Sequence, residues 1–324
     1  VDGVLITVAD VEAAAASLTG HVVRTPTLPS PGLTALLGAD VTVKLELLQR
    51  TGSFKARGAV AKLLSLDEAE RAAGVVAVSG GNHGIGLAVM AGALGVRATV
   101  VMPRSAPARA VDTAKAAGAE VRLADTMPGA FALMEELRAG GLTAVHPFDD
   151  PLVVAAQGTV GLELAEDAGE LTDVLVSIGG GGLIAGVATA LRARRPGVRI
   201  WGVETEGAHA MTAALAAGGP VPVELSSIVS TLSAPTVSAL THAHVAALVE
   251  DVLTVTDAEA VQGTLDLAEH AKVWAEPAAG CLLPAARRVL DRVGPDARLG
   301  LVVCGGNATV ADVTAWAARF GLRP

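Results

Sequence analysis

The sequence predicts an α/β protein of two domains, each a parallel or mostly parallel twisted sheet covered by helices. Short apolar runs at residues 75–78, 98–102, 174–178 and 299–304 alternate with longer stretches of helical periodicity. That alternation is expected where strands are buried on both faces of a sheet. Three of the runs end in glycine-rich turns, at the strand ends where such sheets carry their ligand loops.

The elements follow in order. Residues 8–18 read as an alanine-rich helix, ended by an extended, proline-bounded turn at 21–26. An alternating strand at 41–46 leads into a turn where Thr51 and Ser53 stand as candidate caps of the next helix, which continues over 60–66. A short helix is expected at 66–71. From Gly74 the pattern becomes strand–helix: strands at 75–78, 98–102, 119–123 and 143–146, with a helix at 129–138 before the last. After Pro147-Phe148-Asp149-Asp150 come a helix at 153–167, a strand at 174–178, a glycine loop, a helix to Arg195 and a strand at 198–204. Residues 218–238 are poorly patterned, and helices and the strand at 299–304 finish the chain. The expected division is a discontinuous large domain, residues 1–74 and 146–324, with a small domain of residues 75–145 between its halves.

Composition narrows the partners. Hydrophobic residues make up 51% of the 324 and mean hydropathy is +0.51, so a membrane span has to be weighed. The uncharged stretch between Asp173 and Arg192 has Gly179-Gly180-Gly181-Gly182 at its centre, where one continuous helix is disfavoured. Aromatic residues are 2%, with no tyrosine, which leaves Ala, Val and Leu to build the core. A net charge of -9 without basic blocks argues against nucleic acid and for a small metabolite. Cys281 and Cys304 lie far apart and suggest neither a zinc site nor a disulfide framework. No basic-then-apolar segment opens the chain, so a reducing cytoplasm is expected.

Four stretches carry chemistry. Lys55 stands at a turn-to-helix junction, where burial and the helix dipole disfavour its ammonium. A lysine so discharged can attack an aldehyde cofactor such as pyridoxal phosphate; the plain alternative is a surface lysine. Gly179 to Gly182 can wrap a phosphate at a helix start. They also fit the looser dinucleotide fingerprint Gly180-x-Gly182-x-x-Ala185, with Glu204 spaced to hold a ribose, which keeps an NAD(P)-dependent oxidoreductase open. Ser79-Gly80-Gly81-Asn82-His83-Gly84 and Cys304-Gly305-Gly306-Asn307 end two further strands.

Ser53-Phe54-Lys55-x-Arg57-Gly58-Ala59, Ser79-x-Gly81-Asn82-His83, Gly179 to Gly182 and Cys304-Gly305-Gly306-Asn307 together resemble the fold type II, tryptophan-synthase-β-like pyridoxal phosphate enzymes, in particular the threonine/serine dehydratase and serine racemase group. The resemblance covers essentially the whole chain. It implies that Lys55 forms the Schiff base with pyridoxal 5′-phosphate and that Phe54 packs on the pyridine ring. It implies Asn82 as donor to the phenolic oxygen, Gly179, Gly180, Gly181, Gly182 and Leu183 as the phosphate cup, and Cys304 beside the pyridine nitrogen. Ser79, Asn82 and His83 would hold the substrate carboxylate. The implied reaction is dehydration and deamination of a 3-hydroxy amino acid, through an aminoacrylate, to a 2-keto acid and ammonia. A homodimer or homotetramer is the implied assembly.

The chain departs from the group's pattern at three places. Gly80 stands where racemases carry a serine as second base, and Ala210 takes the place of an acid in a divalent-cation site that also uses Glu204 and a carbonyl near Ala208, so racemisation and metal binding are not expected. The group's Ala-Asp-Gly loop has no counterpart in residues 228–236. Racemisation and β-replacement are the alternatives within the fold; a non-catalytic ligand-binding protein is the alternative outside it.

Overall fold

The computed structural model describes residues 5–322. Its strands are β1 (Thr27–Pro29), β2 (Asp40–Leu45), β3 (Val75–Val78), β4 (Ala98–Pro103), β5 (Glu120–Ala124), β6 (Thr143–Ala144), β7 (Asp173–Ser177), β8 (Arg199–Thr205), β9 (Asp251–Val255) and β10 (Arg298–Val303). They form a six-stranded sheet in the order β1-β2-β10-β7-β8-β9 and a four-stranded sheet in the order β5-β4-β3-β6. Only the β1–β2 pair is antiparallel; the other pairs are parallel. The last strand lies inside the large sheet, with Arg298 beside Asp40 on one flank and Leu299 beside Asp173 on the other.

Burial explains the apolar runs. Every residue of β3 and β7 is buried, and β4, β8 and β10 are buried but for one end residue each. With so few aromatic side chains, the helices approach closely on small residues. A Cβ on Gly186, in the helix Gly182–Arg194, would lie 2.3 Å from Val154 O and 2.4 Å from Gly158 N of the helix Pro151–Asp167. The two backbones touch there, and no larger residue fits.

Several elements differ from expectation. β1 is only three residues long and ends on a proline, β9 is a half-exposed edge, and the helix Pro31–Leu37 fills one short segment between β1 and β2; none has a long periodic signal. β6 keeps two of its four expected residues because only Thr143 and Ala144 pair with β3. The helix after the lysine turn runs Lys55–Leu64 without a side-chain cap, so Thr51 and Ser53 do not serve it. Residues 218–238 contain neither helix nor strand. They are tied down where Ser227 Oγ and Ile228 N donate to Asp257 at 2.5 and 2.9 Å.

No helix among the described residues is long and apolar enough to cross a membrane.

Candidate active site

Lys55 is placed by the end of β10. Phe54 N donates to Cys304 O at 3.1 Å, and Ser53 bridges Gly305 in an isolated antiparallel pair. The turn is thereby stitched to a strand buried in the middle of the sheet, and Lys55 follows as the first helical residue. Its Nζ donates to Pro147 O at 3.0 Å and lies 5.0 Å from the centroid of the Phe54 ring. No carboxylate among the described residues forms an ion pair with it. Burial therefore dominates over the opposing influence of Cys304 and pushes the pKa of the ammonium down to about 8.

Cys304 stands beside this amine. Its thiol is buried, receives a hydrogen bond from Ser177 Oγ at 3.4 Å, and is pushed up to about 12 by burial. The group is neutral at any physiological pH.

The glycine loop follows β7. Gly181 has φ of +91°, and Thr241 Oγ1 donates to Gly180 O at 2.8 Å, which fixes the loop's path. A Cβ on Gly180 would fall 2.0 Å from the Phe148 ring, so the backbone itself lies against that ring. The N–H groups of Gly179 to Leu183 have no acceptor among the described residues. Unpaired donors at the start of a thirteen-residue helix suit a phosphate.

Asn82 opens the helix Asn82–Ala93 after β3. Its Nδ2 donates to Glu276 Oε1 at 2.7 Å, and its Oδ1 accepts from Asn307 Nδ2 at 2.8 Å. Asn307 Nδ2 also donates to Thr51 O at 2.9 Å, and Asn307 N to Glu276 Oε2 at 3.3 Å. Glu276 is buried, and burial raises its carboxyl to about 7. Sequence reasoning missed it. The available signal was one acid inside the otherwise uncharged run 273–286, a pattern that marks a buried charge with partners.

The other expected residues divide. Ser79 Oγ accepts from Gly81 N at 3.2 Å and shapes its own turn. His83 is buried and donates through Nε2 to Val145 O at 2.9 Å, which leaves Nδ1 free; burial depresses its pKa to about 3, so the ring is neutral. A cleft is lined by Gly80, Gly81, Asn82, Ser230, Thr231 and Glu276, and His83 does not reach its wall. Glu204 turns away from the glycine loop. Its oxygens accept from Met211 N at 2.8 Å and from Thr212 N and Oγ1 at 2.9 and 2.7 Å, at the start of the helix Ala210–Ala217. A ribose would find both oxygens engaged. Among the described residues no three His, Cys, Asp or Glu side chains converge as metal ligands.

The residues present fit a phosphorylated aldehyde of aromatic type. The orphan N–H groups suit its phosphate, and the easily discharged lysine its aldehyde. The Ser53 hydroxyl, fully buried without a partner, is a further polar atom left unsatisfied by the protein itself.

Comparison with known proteins agrees with that donor set. The family model described as "Pyridoxal-phosphate dependent enzyme" matches residues 18–305. The chain is 38% identical over 312 residues to L-threonine ammonia-lyase of Thermotoga maritima, covering 94% of this chain and 77% of that protein. It is 39% identical over 307 residues to L-threo-3-hydroxyaspartate ammonia-lyase of a Pseudomonas species, covering 93% and 95%. The structure of maize serine racemase superposes with a TM-score of 0.90 at 31% identity, over 98% of each chain. The chain belongs to the pyridoxal-phosphate dependent enzymes of fold type II, in the threonine/serine dehydratase and serine racemase group.

Proposed function

We propose that the chain is a pyridoxal 5′-phosphate-dependent ammonia-lyase that dehydrates and deaminates a 3-hydroxy amino acid of the threonine or serine kind. The observation that carries the reading is the Lys55 amine, buried without an acid beside a neutral thiol. When bound, the cofactor supplies an aldehyde for amine attachment and a conjugated ring that accepts the electron pair left at Cα. Lys55, once its amine is free, takes the Cα proton.

The remaining roles follow from the donors described. Gly179, Gly180, Gly181, Gly182 and Leu183 hold the phosphate through their N–H groups, Asn82 donates to the phenolic oxygen, and Phe54 packs on the ring. Cys304, neutral, leaves the pyridine nitrogen without the full proton that a carboxylate partner would hold there. Ser79 through its hydroxyl, and Asn82 and His83 through the unpaired N–H groups at the start of their helix, hold the substrate carboxylate. Water is lost across Cα and Cβ and regained as the nitrogen leaves, so the net change is a 3-hydroxy amino acid to a 2-keto acid and ammonia with no oxidant.

Racemisation is not favoured. Gly80 offers no hydroxyl, and a Cβ there would fall 2.9 Å from the Ala106 methyl. The division into residues 1–74 with 146–324 and residues 75–145 is supported by their separate sheets. A cytoplasmic homodimer or homotetramer acting on a small amino acid completes the reading, and light scattering of the purified chain tests the assembly.

The deciding experiment gives the cofactor-loaded protein L-threonine, L-serine and L-threo-3-hydroxyaspartate separately and measures 2-keto acid and ammonia. Equal amounts of both from at least one substrate support the reading. Inversion at Cα without keto acid would replace it with a racemase.

A further inference from the structure

We infer that Glu276 is a positioning residue for the cofactor, acting through Asn82. Taking Asn82 as the donor to the cofactor's phenolic oxygen, the inference rests on the reading above and extends it to the acid that holds that amide.

An asparagine amide turned by half a revolution exchanges donor for acceptor, so a useful Asn82 needs its orientation fixed from outside. Two bonds do this. Glu276 Oε1 takes one Nδ2 hydrogen at 2.7 Å, and Asn307 Nδ2 supplies a hydrogen to Oδ1 at 2.8 Å. Reversing the amide would set N–H against N–H at Asn307 and oxygen against oxygen at Glu276. The correct orientation leaves the second Nδ2 hydrogen for a ligand.

Glu276 is itself well placed for the task. Its second oxygen accepts from Asn307 N at 3.3 Å, so the carboxylate and Asn307 brace each other. A Cβ added to Gly305 would stand 2.9 Å from Glu276 Oε1, 3.2 Å from Asn82 Nδ2 and 3.1 Å from Ser53 Cβ. The acid, the amide and the turn before Lys55 therefore converge on one glycine at the end of the central strand. Thr231, from the loop across the cleft, lines it together with the carboxylate. The cation facing it is Arg109, which donates to Asn307 Oδ1 at 3.3 Å. Asp312 lines the same cleft, and Cys304 lies within the field of Glu276.

The test is a double-mutant cycle read as affinity of the cofactor-free chain for pyridoxal 5′-phosphate, followed by absorbance, with thermal melting to verify folding. Asn82→Ala and Glu276→Leu are each expected to weaken uptake by roughly 30-fold. In the double variant the loss is expected to stay within about 3-fold of either single one, because the two residues act as one unit. Glu276→Gln keeps an acceptor for Asn82 and is expected to recover affinity to within about 5-fold of the unchanged chain. Multiplying losses in the double variant, or no loss in Glu276→Leu, would overturn the inference while leaving the cofactor assignment intact. An unchanged chain that takes up no pyridoxal phosphate would instead sink the reading on which it rests. Should Glu276→Leu fail to fold, Asn307→Ala, which removes the other amide bond to Asn82, completes the same cycle with the same criterion.

Discussion

Lys55 and Arg57 stand two residues apart on one helix and meet opposite treatment. The Arg57 guanidinium is fully buried and saturated: it donates to Glu46 at 2.9 and 2.7 Å, to Glu163 at 2.6 and 2.9 Å and to Thr159 at 3.0 Å. Lys44 joins from β2, reaching Glu163 at 2.5 Å and Thr25 O at 2.8 Å. Burial works against the Arg57 charge, and Glu46 and Glu163 overcome it, so its pKa rises; Glu46, also opposed by burial, is held below its usual range by Arg57. Lys55 has burial and no acid, and its pKa falls. Arg57, which pins helix to sheet, is kept charged by its acid partners, although burial lowers the pKa of the Lys44 ammonium in spite of Glu163. The side chain that has to react is denied an acid partner.

The largest effect that would break this comparison comes from removing the reactive member. Lys55→Ala is expected to lower keto acid formation at least ~10³-fold. The apoprotein should melt at the same temperature or higher, since a poorly solvated amine is gone. A clear fall in melting temperature would mean that Lys55 is a structural cation like its neighbour.

Removing the paired member should do the reverse. Arg57→Met strips Glu46 of its guanidinium partner and leaves Glu163 with Lys44 alone, and urea unfolding of the apoprotein is expected to show a loss of about 3–5 kcal/mol. Where enough protein remains folded, the Lys55 amine should titrate as before.

Acid stability sharpens the contrast between paired and unpaired groups. His83 titrates at about 3 when folded against an ordinary 6.5, so the unfolded chain binds more protons between these values and stability falls as pH drops below 6.5. Glu276, at about 7 against an ordinary 4.5, has the opposite sign: the folded chain binds more protons, and stability rises as pH falls from 7 toward 4.5. The two offset. Glu276→Gln should uncover the histidine as a loss of about 2 kcal/mol between pH 6.5 and 5, measured by urea unfolding.

Two smaller effects complete the series. Labelling of Lys55 in the apoprotein by a simple aldehyde, trapped with borohydride, should rise with pH to half its limit near pH 8, the point at which half the amines are free. Cys304→Ser exchanges one neutral donor for another and is expected to change activity by less than about 5-fold. A larger change would mean that the thiol carries charge.

Much of this was legible in the sequence because the signals are local. Each glycine-rich turn adjoins its own apolar run, and the lysine stands within a dozen residues of the strand before it and at the start of the helix after it. The ion cluster was not, since Arg57 meets Glu163 across 106 positions and nothing near either residue names the other. Glu204 shows the converse error: its spacing after the glycine loop suggested a ribose, whereas its oxygens close a helix start only seven and eight residues ahead. Ser53 looked like a helix cap, but its hydroxyl bonds to no helix N–H and its backbone is held by the bridge to Gly305 instead.

The position of β10 has a consequence for how the chain is made. The four-stranded sheet is drawn from one continuous stretch between Val75 and Ala144, so it can assemble as soon as that stretch leaves the ribosome. The six-stranded sheet cannot, because the strand separating β2 from β7 is the last to be synthesised. Until it arrives, the buried edges of β2 and β7 lie open, and the lysine turn has no Cys304 carbonyl or Gly305 to rest on. A chain interrupted before Arg298 therefore exposes two apolar strand edges, the condition under which chaperones and proteases engage nascent proteins. Quality control and catalytic competence are decided by one strand and the two residues that follow it.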